Sequence, residues 1–246
     1  MTKKADPVWA IGQSRQDDRG YNQGFVVNEA TRVRAERRCD YMISRLGLKA
    51  GDSVMEIGCG PGLNSFMLTQ KTGASVLGTD LCVPFIEEAR QHYPLPNLRY
   101  EVRDFNDFAL FEGETFDGIV GNGILHHLYY HLDTALVNMR RLLKPGGRIV
   151  FLEPNLYNPY IYLIFSYPSW RTWARLEPDE MAFTRSFITQ ALAKAGYRKI
   201  VVEFRDFLLP GIPSVFIQPS ILLGSILEKI PVVKSVAQSL FISAEN

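Results

Sequence analysis

The chain has 246 residues, of which 46% are hydrophobic and 22% charged, as in an ordinary folded globular protein. Its 27 basic and 26 acidic residues give a formal net charge of +1 at pH 7. This balance argues against a nucleic-acid partner, because nucleic-acid-binding domains usually carry a clear basic excess. The three cysteines, Cys39, Cys59 and Cys82, form no CxxC pair and no metal-ligand spacing, so we interpret them as free thiols of a cytoplasmic protein.

Short apolar runs alternate with helical patterns over much of the chain. Apolar residues at helical spacing first predict a helix over residues 26–46. The runs SVMEI, SVLGTD, LRYEV, FDGIVG and RIVFLE then predict five strands. Helical patterns follow three of them, at LNSFMLTQKTG, PFIEEARQHY and LDTALVNMRRLL. This alternation predicts an α/β fold, because parallel strands joined by helices form a sheet covered on both faces.

Two segments rich in aromatic and aliphatic residues, 154–183 and 205–236, interrupt this pattern after the fifth strand. The helical pattern SFITQALAKAG and the strand KIVVEF separate them, and SLFISA predicts a last strand. Within the second segment, PSILLGSILEKI predicts a helix. Phe207–Leu227 holds 21 residues without a formally charged side chain, but three prolines and two glycines argue against a membrane-spanning helix there.

Three glycines lie within five positions directly after the first predicted strand. The sequence EIGCGPG places Gly58, Gly60 and Gly62 behind Glu56. A glycine-rich turn between a strand and a helix lets a ligand approach the backbone and its open amide groups. The dinucleotide-binding fingerprint requires a third glycine where Leu63 stands, and an acid in front would repel phosphates. The pattern instead favours a ligand that carries a cationic group.

The same residues resemble the first motif of the class I S-adenosylmethionine-dependent methyltransferases, E-x-G-x-G-x-G. Asp80 ends the second strand and Asp104 follows the third, as in this family. FDGIVGNGILHHL resembles the fourth motif, and RLLKPGGRIVFLE is similar to the turn into the fifth strand. The resemblance covers roughly residues 40–153 and 184–204.

The resemblance implies a doubly wound, mostly parallel seven-stranded sheet of the Rossmann-like methyltransferase fold, with helical and apolar insertions and an antiparallel last strand. It implies S-adenosylmethionine as cofactor and S-adenosylhomocysteine as product. In the family, the acid at Asp80 holds the ribose hydroxyls and the acid at Asp104 meets the adenine amino group. The expected donor-binding residues are Tyr21, Glu56, Gly58, Cys59, Gly60, Gly62, Asp80, Leu81, Asp104, Phe105 and Asn122.

We therefore predict one methyltransferase domain over residues 1–246. Residues 1–48 would form an N-terminal helical segment that folds over the donor as a lid, and residues 49–153 the donor-binding core. The segments 154–183 and 205–236 would be insertions on the acceptor side.

Several of these residues have alternative interpretations. Asp80 could cap the helix that follows it, and Asp107 is a rival to Asp104 for the adenine contact. The four arginines of the first helix are interpreted as a solvated face; they are Arg32, Arg34, Arg37 and Arg38.

His126 and His127 follow the fourth strand, near the expected position of the acceptor. Imidazole accepts a proton from a hydroxyl or amine near neutral pH, so both are candidate catalytic residues. In the alternative interpretation they begin a helix, one packed and the other exposed. No metal is expected, because the sequence offers no convincing cluster of ligands.

Together these features predict methyl transfer to an oxygen or nitrogen of a small acceptor. The two apolar insertions favour an apolar or lipid-like acceptor and a contact with a membrane surface. One alternative is a non-catalytic donor-binding protein whose insertions dock a partner or a membrane. The other is a nicotinamide-dependent oxidoreductase, which the glycine spacing and Glu56 oppose.

Overall fold

The computed structural model describes residues 28–174, 176–177 and 179–246. It begins with helix α1 (Glu29–Leu46), whose N-terminus forms a capping box between Asn28 and Thr31. Each of these two side chains accepts a hydrogen bond from the other residue's backbone N–H. The predicted helix thus begins three residues later than its apolar pattern, because Asn28 caps it.

The other helices and strands follow in chain order. They are β1 (Ser53–Ile57), α2 (Leu63–Thr72), β2 (Ser75–Asp80), α3 (Val83–His92), β3 (Leu98–Val102), β4 (Phe116–Asn122), α4 (Leu132–Leu142), β5 (Leu143–Pro154), α5 (Pro159–Ser166), α6 (Pro168–Trp173), α7 (Arg185–Lys194), β6 (Arg198–Arg205), α8 (Ile217–Leu227), α9 (Pro231–Lys234) and β7 (Ser239–Glu245). Short 3-10 helices lie at Phe108–Phe111, Leu125–His131 and Ser214–Phe216.

The seven strands form one sheet in the order β3-β2-β1-β4-β5-β7-β6. Strands β1 to β5 pair in parallel, whereas β7 runs antiparallel to both β5 and β6. Val120 and Val150 belong to a core cluster with α1 to α3, while their neighbours Ile119 and Ile149 belong to a cluster with α4 and α7. Helices therefore cover both faces, and the predicted doubly wound, mostly parallel sheet is confirmed.

Strand β5 differs from its prediction, because it begins at Leu143 and not at Arg148. Leu143 pairs with Phe116, and the register then shifts before Arg148 pairs with Gly118. The KPGG turn is thus an irregularity within the paired strand.

The prediction of a solvated arginine face is wrong for Arg34 and Arg38. Both donate to Asp206, at 2.6 Å and 2.8 Å, and this carboxylate is 7% exposed. Burial lowers the pKa of Arg38 to about 10, and the charge of Arg34 adds to this effect. Burial alone would raise the pKa of Asp206, but the two guanidinium groups outweigh it and hold that pKa below its usual range. The pairs fix α1 to the loop after β6.

The two apolar segments leave the sheet at one edge. Pro154 at the end of β5 and Arg205 at the end of β6 both lie opposite Ser239 at the start of β7. The segments also contact each other, because the Asn158 side chain donates to the Val236 carbonyl at 2.7 Å.

Both segments expose large apolar side chains, which together we call the apolar surface. Its members are Tyr157, Tyr160, Tyr162, Leu163, Tyr167, Trp170, Trp173, Leu209, Val215, Phe216, Leu222, Leu223, Ile226, Ile230, Val232 and Val236. Of helix α8, only Ile217 and Gly224 are buried. None of the helices within the described ranges combines the length and apolarity needed to cross a bilayer.

Candidate active site

The glycine-rich turn after β1 forms the floor of the site. All three of its glycines have a positive φ, which other residues rarely adopt. A Cβ atom at Gly58 would lie 2.6 Å from Ile124, and one at Gly62 would lie 2.7 Å from Ala89. At Gly60, a Cβ atom would meet nothing within 4 Å among the described residues. Protein packing thus explains the first and third glycines, while the second leaves backbone open to a ligand.

Glu56 lies beneath this turn and is 1% exposed. Its carboxylate accepts hydrogen bonds from the Ser65 hydroxyl at 2.5 Å and from the Asn64 amide at 2.7 Å. Burial raises the pKa of Glu56 to about 7 despite these bonds, and the charge of Asp80 adds to the rise. A cation bound nearby would favour the charged form of this carboxyl group.

Asp80, at the end of β2, holds the glycine turn in place. One carboxylate oxygen accepts from the Gly60 N–H at 2.8 Å, and the other from the Cys82 N–H at 2.9 Å. The N-cap of α3 is Cys82, so the alternative role of Asp80 as the helix cap is wrong. Leu81, between them, is half-buried, and Cys59 is buried with its N–H bonded to the β2 carbonyl of Thr79 at 2.9 Å.

Asp104 follows β3 and is 5% exposed. Its Oδ1 accepts from the backbone and the side chain of Asn106, at 2.8 Å and 3.0 Å. Its Oδ2 is buried and has no hydrogen-bond partner within the part of the chain that the structure describes. Such an atom is costly unless a ligand donates to it. Phe105 is buried against Phe111, and the rival Asp107 is exposed.

Asn122 ends β4 at the same edge of the sheet. Its side chain is engaged by the protein, because Arg38 donates to Asn122 Oδ1 at 2.7 Å. Arg38 also donates to the Ser239 hydroxyl at 2.7 Å. The predicted site residue Tyr21 lies outside the described residues.

His126 packs against a buried acid that the sequence pattern did not single out. Glu153, at 1% exposure, accepts from the backbone N–H groups of Ile124 at 3.0 Å and Leu125 at 2.8 Å. His126 Nδ1 lies 2.8 Å from Glu153 Oε2. Since the backbone donors stabilise a carboxylate, the shared proton is assigned to Nδ1, and in the neutral ring Nε2 carries the lone pair.

His127 faces two further acids. Its Nδ1 lies 3.3 Å from Glu180 Oε1 and 3.6 Å from Glu177 Oε2. Burial alone would lower the pKa of His127, but the hydrogen bond with Glu177 and the charge of Glu180 outweigh burial and raise it. The alternative in which one histidine of the doublet is exposed is wrong, since His126 is buried and the His127 side chain is 19% exposed.

Comparisons with known proteins identify the family. A family model described as a methyltransferase domain matches residues 54–147. A stretch of 127 residues is 37% identical to a hybrid PKS-NRPS synthetase of Penicillium oxalicum and covers 48% of this chain but 3% of the synthetase. A ubiquinone biosynthesis O-methyltransferase of Xanthomonas oryzae pv. oryzae is 31% identical over 172 residues, which are 69% of this chain and 70% of the relative. The chain belongs to the class I S-adenosylmethionine-dependent methyltransferases.

The solved structures agree in fold with this methyltransferase. A S-adenosylmethionine-dependent methyltransferase from Archaeoglobus fulgidus superposes with a TM-score of 0.63 at 18% identity, over 87% of this chain and 94% of that one. Together with the family model and the Xanthomonas relative, this agreement confirms the predicted family and its cofactor, and the oxidoreductase alternative is wrong. The open backbone at Gly60 and the unpartnered Asp104 Oδ2 both fit a donor that carries an adenine amino group.

The methyltransferase also contains site residues that sequence reasoning missed. They are Arg38, Glu153 and Glu180. Glu153 could have been predicted as a site residue, because it ends the fifth predicted strand and the carboxyl ends of parallel strands share one edge. No sequence pattern indicated Glu180, since it lies in a loop far along the chain from His127.

We expect replacement of Asp104 by alanine to weaken S-adenosylmethionine binding by about tenfold or more. The change removes a buried charged acceptor, and hydrogen bonds to charged groups contribute about 1.5–3 kcal/mol. Isothermal titration calorimetry measures the effect, with Asp107→Ala as the matched control. If folded Asp104→Ala keeps its donor affinity, or if only the control loses donor affinity, Asp104 does not bind the adenine.

We also expect donor affinity to rise with pH up to about pH 7. The pKa of Glu56 is raised to about 7, so this carboxyl group is mostly protonated below pH 7. A cationic donor binds better to the ionised carboxylate, and its binding below pH 7 therefore releases a proton. Affinity at about pH 6 should be up to tenfold below its plateau. Glu56→Gln should flatten this profile, whereas the surface control Glu88→Gln should not. A Glu56→Gln profile as steep as that of the wild type contradicts the assignment.

Proposed function

We propose that this protein transfers a methyl group from S-adenosylmethionine to an oxygen or nitrogen of a small apolar or lipid-like acceptor. The observation that carries the proposal is the apolar surface, which projects from the same sheet edge as the donor-binding turn. Similarity to the Xanthomonas protein, which is named a ubiquinone biosynthesis O-methyltransferase, supports oxygen over nitrogen as the acceptor atom.

The donor would lie over Gly60, where the backbone is open. Asp80, already fixed by two backbone amides, would accept from the ribose hydroxyls. Asp104 would accept from the adenine amino group, and Glu56 would balance the cationic methionine part. Bound S-adenosylmethionine supplies an electrophilic methyl group, so the protein contributes mainly position and orientation.

His126 would take the proton that the acceptor loses. Its Nδ1 lies 2.8 Å from Glu153 Oε2, a contact that orients the ring, and in the neutral ring the Nε2 lone pair would serve proton transfer. His127 is the second candidate base, but its Nδ1 already faces Glu177 and Glu180. Glu153 acts on the reaction only through His126, as a positioning residue.

The reaction is tested with labelled donor and polar and lipid fractions of a cell extract. His126→Ala should lower turnover about a hundredfold, because positioned general bases contribute about that much, while donor affinity stays unchanged. His92→Ala, at an exposed histidine of α3, is the matched control.

Two outcomes would contradict parts of this proposal. Near-normal turnover in both His126→Ala and His127→Ala would make catalysis purely positional. Donor binding without S-adenosylhomocysteine release in any fraction would favour the non-catalytic alternative, a donor-binding module.

The apolar surface also supports contact with a membrane. On α8, Leu222 is 66% exposed and Leu223 57% exposed, while α6 exposes Trp170 and Trp173. Exposed aliphatic side chains beside tryptophan and tyrosine are typical of proteins that rest in the bilayer interface. A surface cavity of about 430 Å³ between Leu156 and Leu163 on the same segment offers apolar walls to an acceptor chain.

We expect the double change Leu222→Asp and Leu223→Asp to reduce sedimentation with phospholipid vesicles at least fivefold. Two charges placed on the apolar surface oppose insertion into hydrocarbon. Leu110→Asp, at a leucine 47% exposed on a different part of the chain, is the matched control. If both variants and the wild type bind vesicles equally, the apolar surface does not contact the membrane.

A further inference from the structure

The histidine doublet and the loop before α7 bring three possible metal ligands together. One ligand atom each of His126, His127 and Glu180 lies within 4.8 Å of the other two. Within it, His127 Nδ1 and Glu180 Oε1 are 3.3 Å apart. Nitrogen and oxygen ligands about 2.1 Å from a tetrahedral ion lie about 3.4 Å from each other. The His127–Glu180 pair therefore already has the spacing of two metal ligands, and His126 lies within 4.8 Å of both.

The protein fixes the positions of these ligands through its backbone. The N–H of Met181 donates to the His126 carbonyl at 3.1 Å, which pins the loop beside the doublet. Arg171 donates to the Glu180 carbonyl at 3.0 Å and to the Glu177 carbonyl at 2.7 Å. Glu180 is 4% exposed as a result, so its carboxylate faces the histidines and not the solvent.

His126 already has the partner that histidine ligands of metals usually have. A ligating imidazole typically donates its other ring N–H to a carboxylate, which fixes the tautomer and strengthens the ligand. Here Nδ1 of His126 lies 2.8 Å from Glu153, and the lone pair of Nε2 remains.

The charges around the doublet also favour a cation. Glu153 and Glu180 are buried and Glu177 is half-buried; Glu153 contacts His126, and the other two acids contact His127. Burying the Glu180 carboxylate beside that of Glu177 is unfavourable unless positive charge balances them. A divalent ion provides that charge without requiring both imidazoles to be protonated.

We propose that His126, His127 and Glu180 form a site for a divalent first-row transition metal such as Zn²⁺. Two imidazoles and one carboxylate suit these ions better than Mg²⁺ or Ca²⁺, which prefer oxygen ligands. Three protein ligands leave one position open, as in catalytic and regulatory sites.

The metal site is tested on the full chain, without donor or acceptor. After EDTA treatment and dialysis, calorimetry with ZnCl₂ should show one tight site per chain, and Zn²⁺ should raise the melting temperature. Glu180→Gln and His127→Gln should each weaken zinc binding at least tenfold. Glu88→Gln and His92→Gln are matched controls, because they alter an exposed His–Glu pair, 3.9 Å apart, on α3.

No zinc binding by the wild type, or equal binding by Glu180→Gln and His127→Gln, would overturn the proposal. Unchanged circular dichroism and donor affinity in both variants show that they fold. Because one lone pair cannot serve both roles, zinc should inhibit methyl transfer if His126 is the base. Zinc that binds through Glu180 but raises turnover would uphold the metal site and overturn the base assignment, so the two proposals fail separately.

Discussion

The parallel register of β1 with its two neighbours is the constraint on which the site depends. Glu56 on β1 lies opposite Gly78 of β2 and Val120 of β4. Two residues further along, β2 ends at Asp80 and β4 at Asn122. Parallel pairing therefore brings the polar residues at the ends of these strands to one edge of the sheet, where each strand continues into a loop. Strand β5 joins this arrangement, because Leu152, just before Glu153, lies opposite Asn122.

Buried acids are the electrostatic consequence of this arrangement, and each one is satisfied differently. Glu153 accepts from backbone amides and from His126, so the protein alone completes its surroundings. Glu56 has two side-chain donors but an elevated pKa. Asp104 keeps one oxygen without a partner among the described residues. This progression from satisfied to unsatisfied acids agrees with the proposed division between acids that support the structure and acids that bind the donor.

Local sequence patterns predicted the elements that local physics decides. The bounds of β1, β2 and β3 match the apolar runs, because buried parallel strands are short apolar stretches between turn residues. The glycine turn was also predictable from local physics, because Gly58, Gly60 and Gly62 all adopt a positive φ that other residues rarely adopt.

Long-range pairings were not predictable in this way. Arg38 and Asp206 are 168 positions apart in the chain, and the arginine pattern of α1 alone is typical of a solvated face. The contact of Glu180 with His127 likewise depends on the loop after α6, whose path follows from hydrogen bonds of Arg171 to its carbonyls. Residue spacing carries no information on either contact, so the family resemblance predicts a donor site but not the acids around the histidines.

The apolar surface follows from the same topology. Since β7 runs antiparallel between β5 and β6, the chain crosses the carboxyl edge twice before it closes the sheet. Both crossings are long, and only part of their side chains is buried: Phe183 joins the main core cluster, and smaller clusters bury a few others. Ile164 and Phe165 anchor the first crossing, and Leu208 and Ile217 the second. The remaining aromatic and aliphatic side chains stay in water, where each carries a hydration cost of about 25 cal/mol per Å² of apolar area. An exposed apolar surface of this size is typical of a binding site, which supports the proposed apolar ligand or bilayer contact beside the proposed donor site.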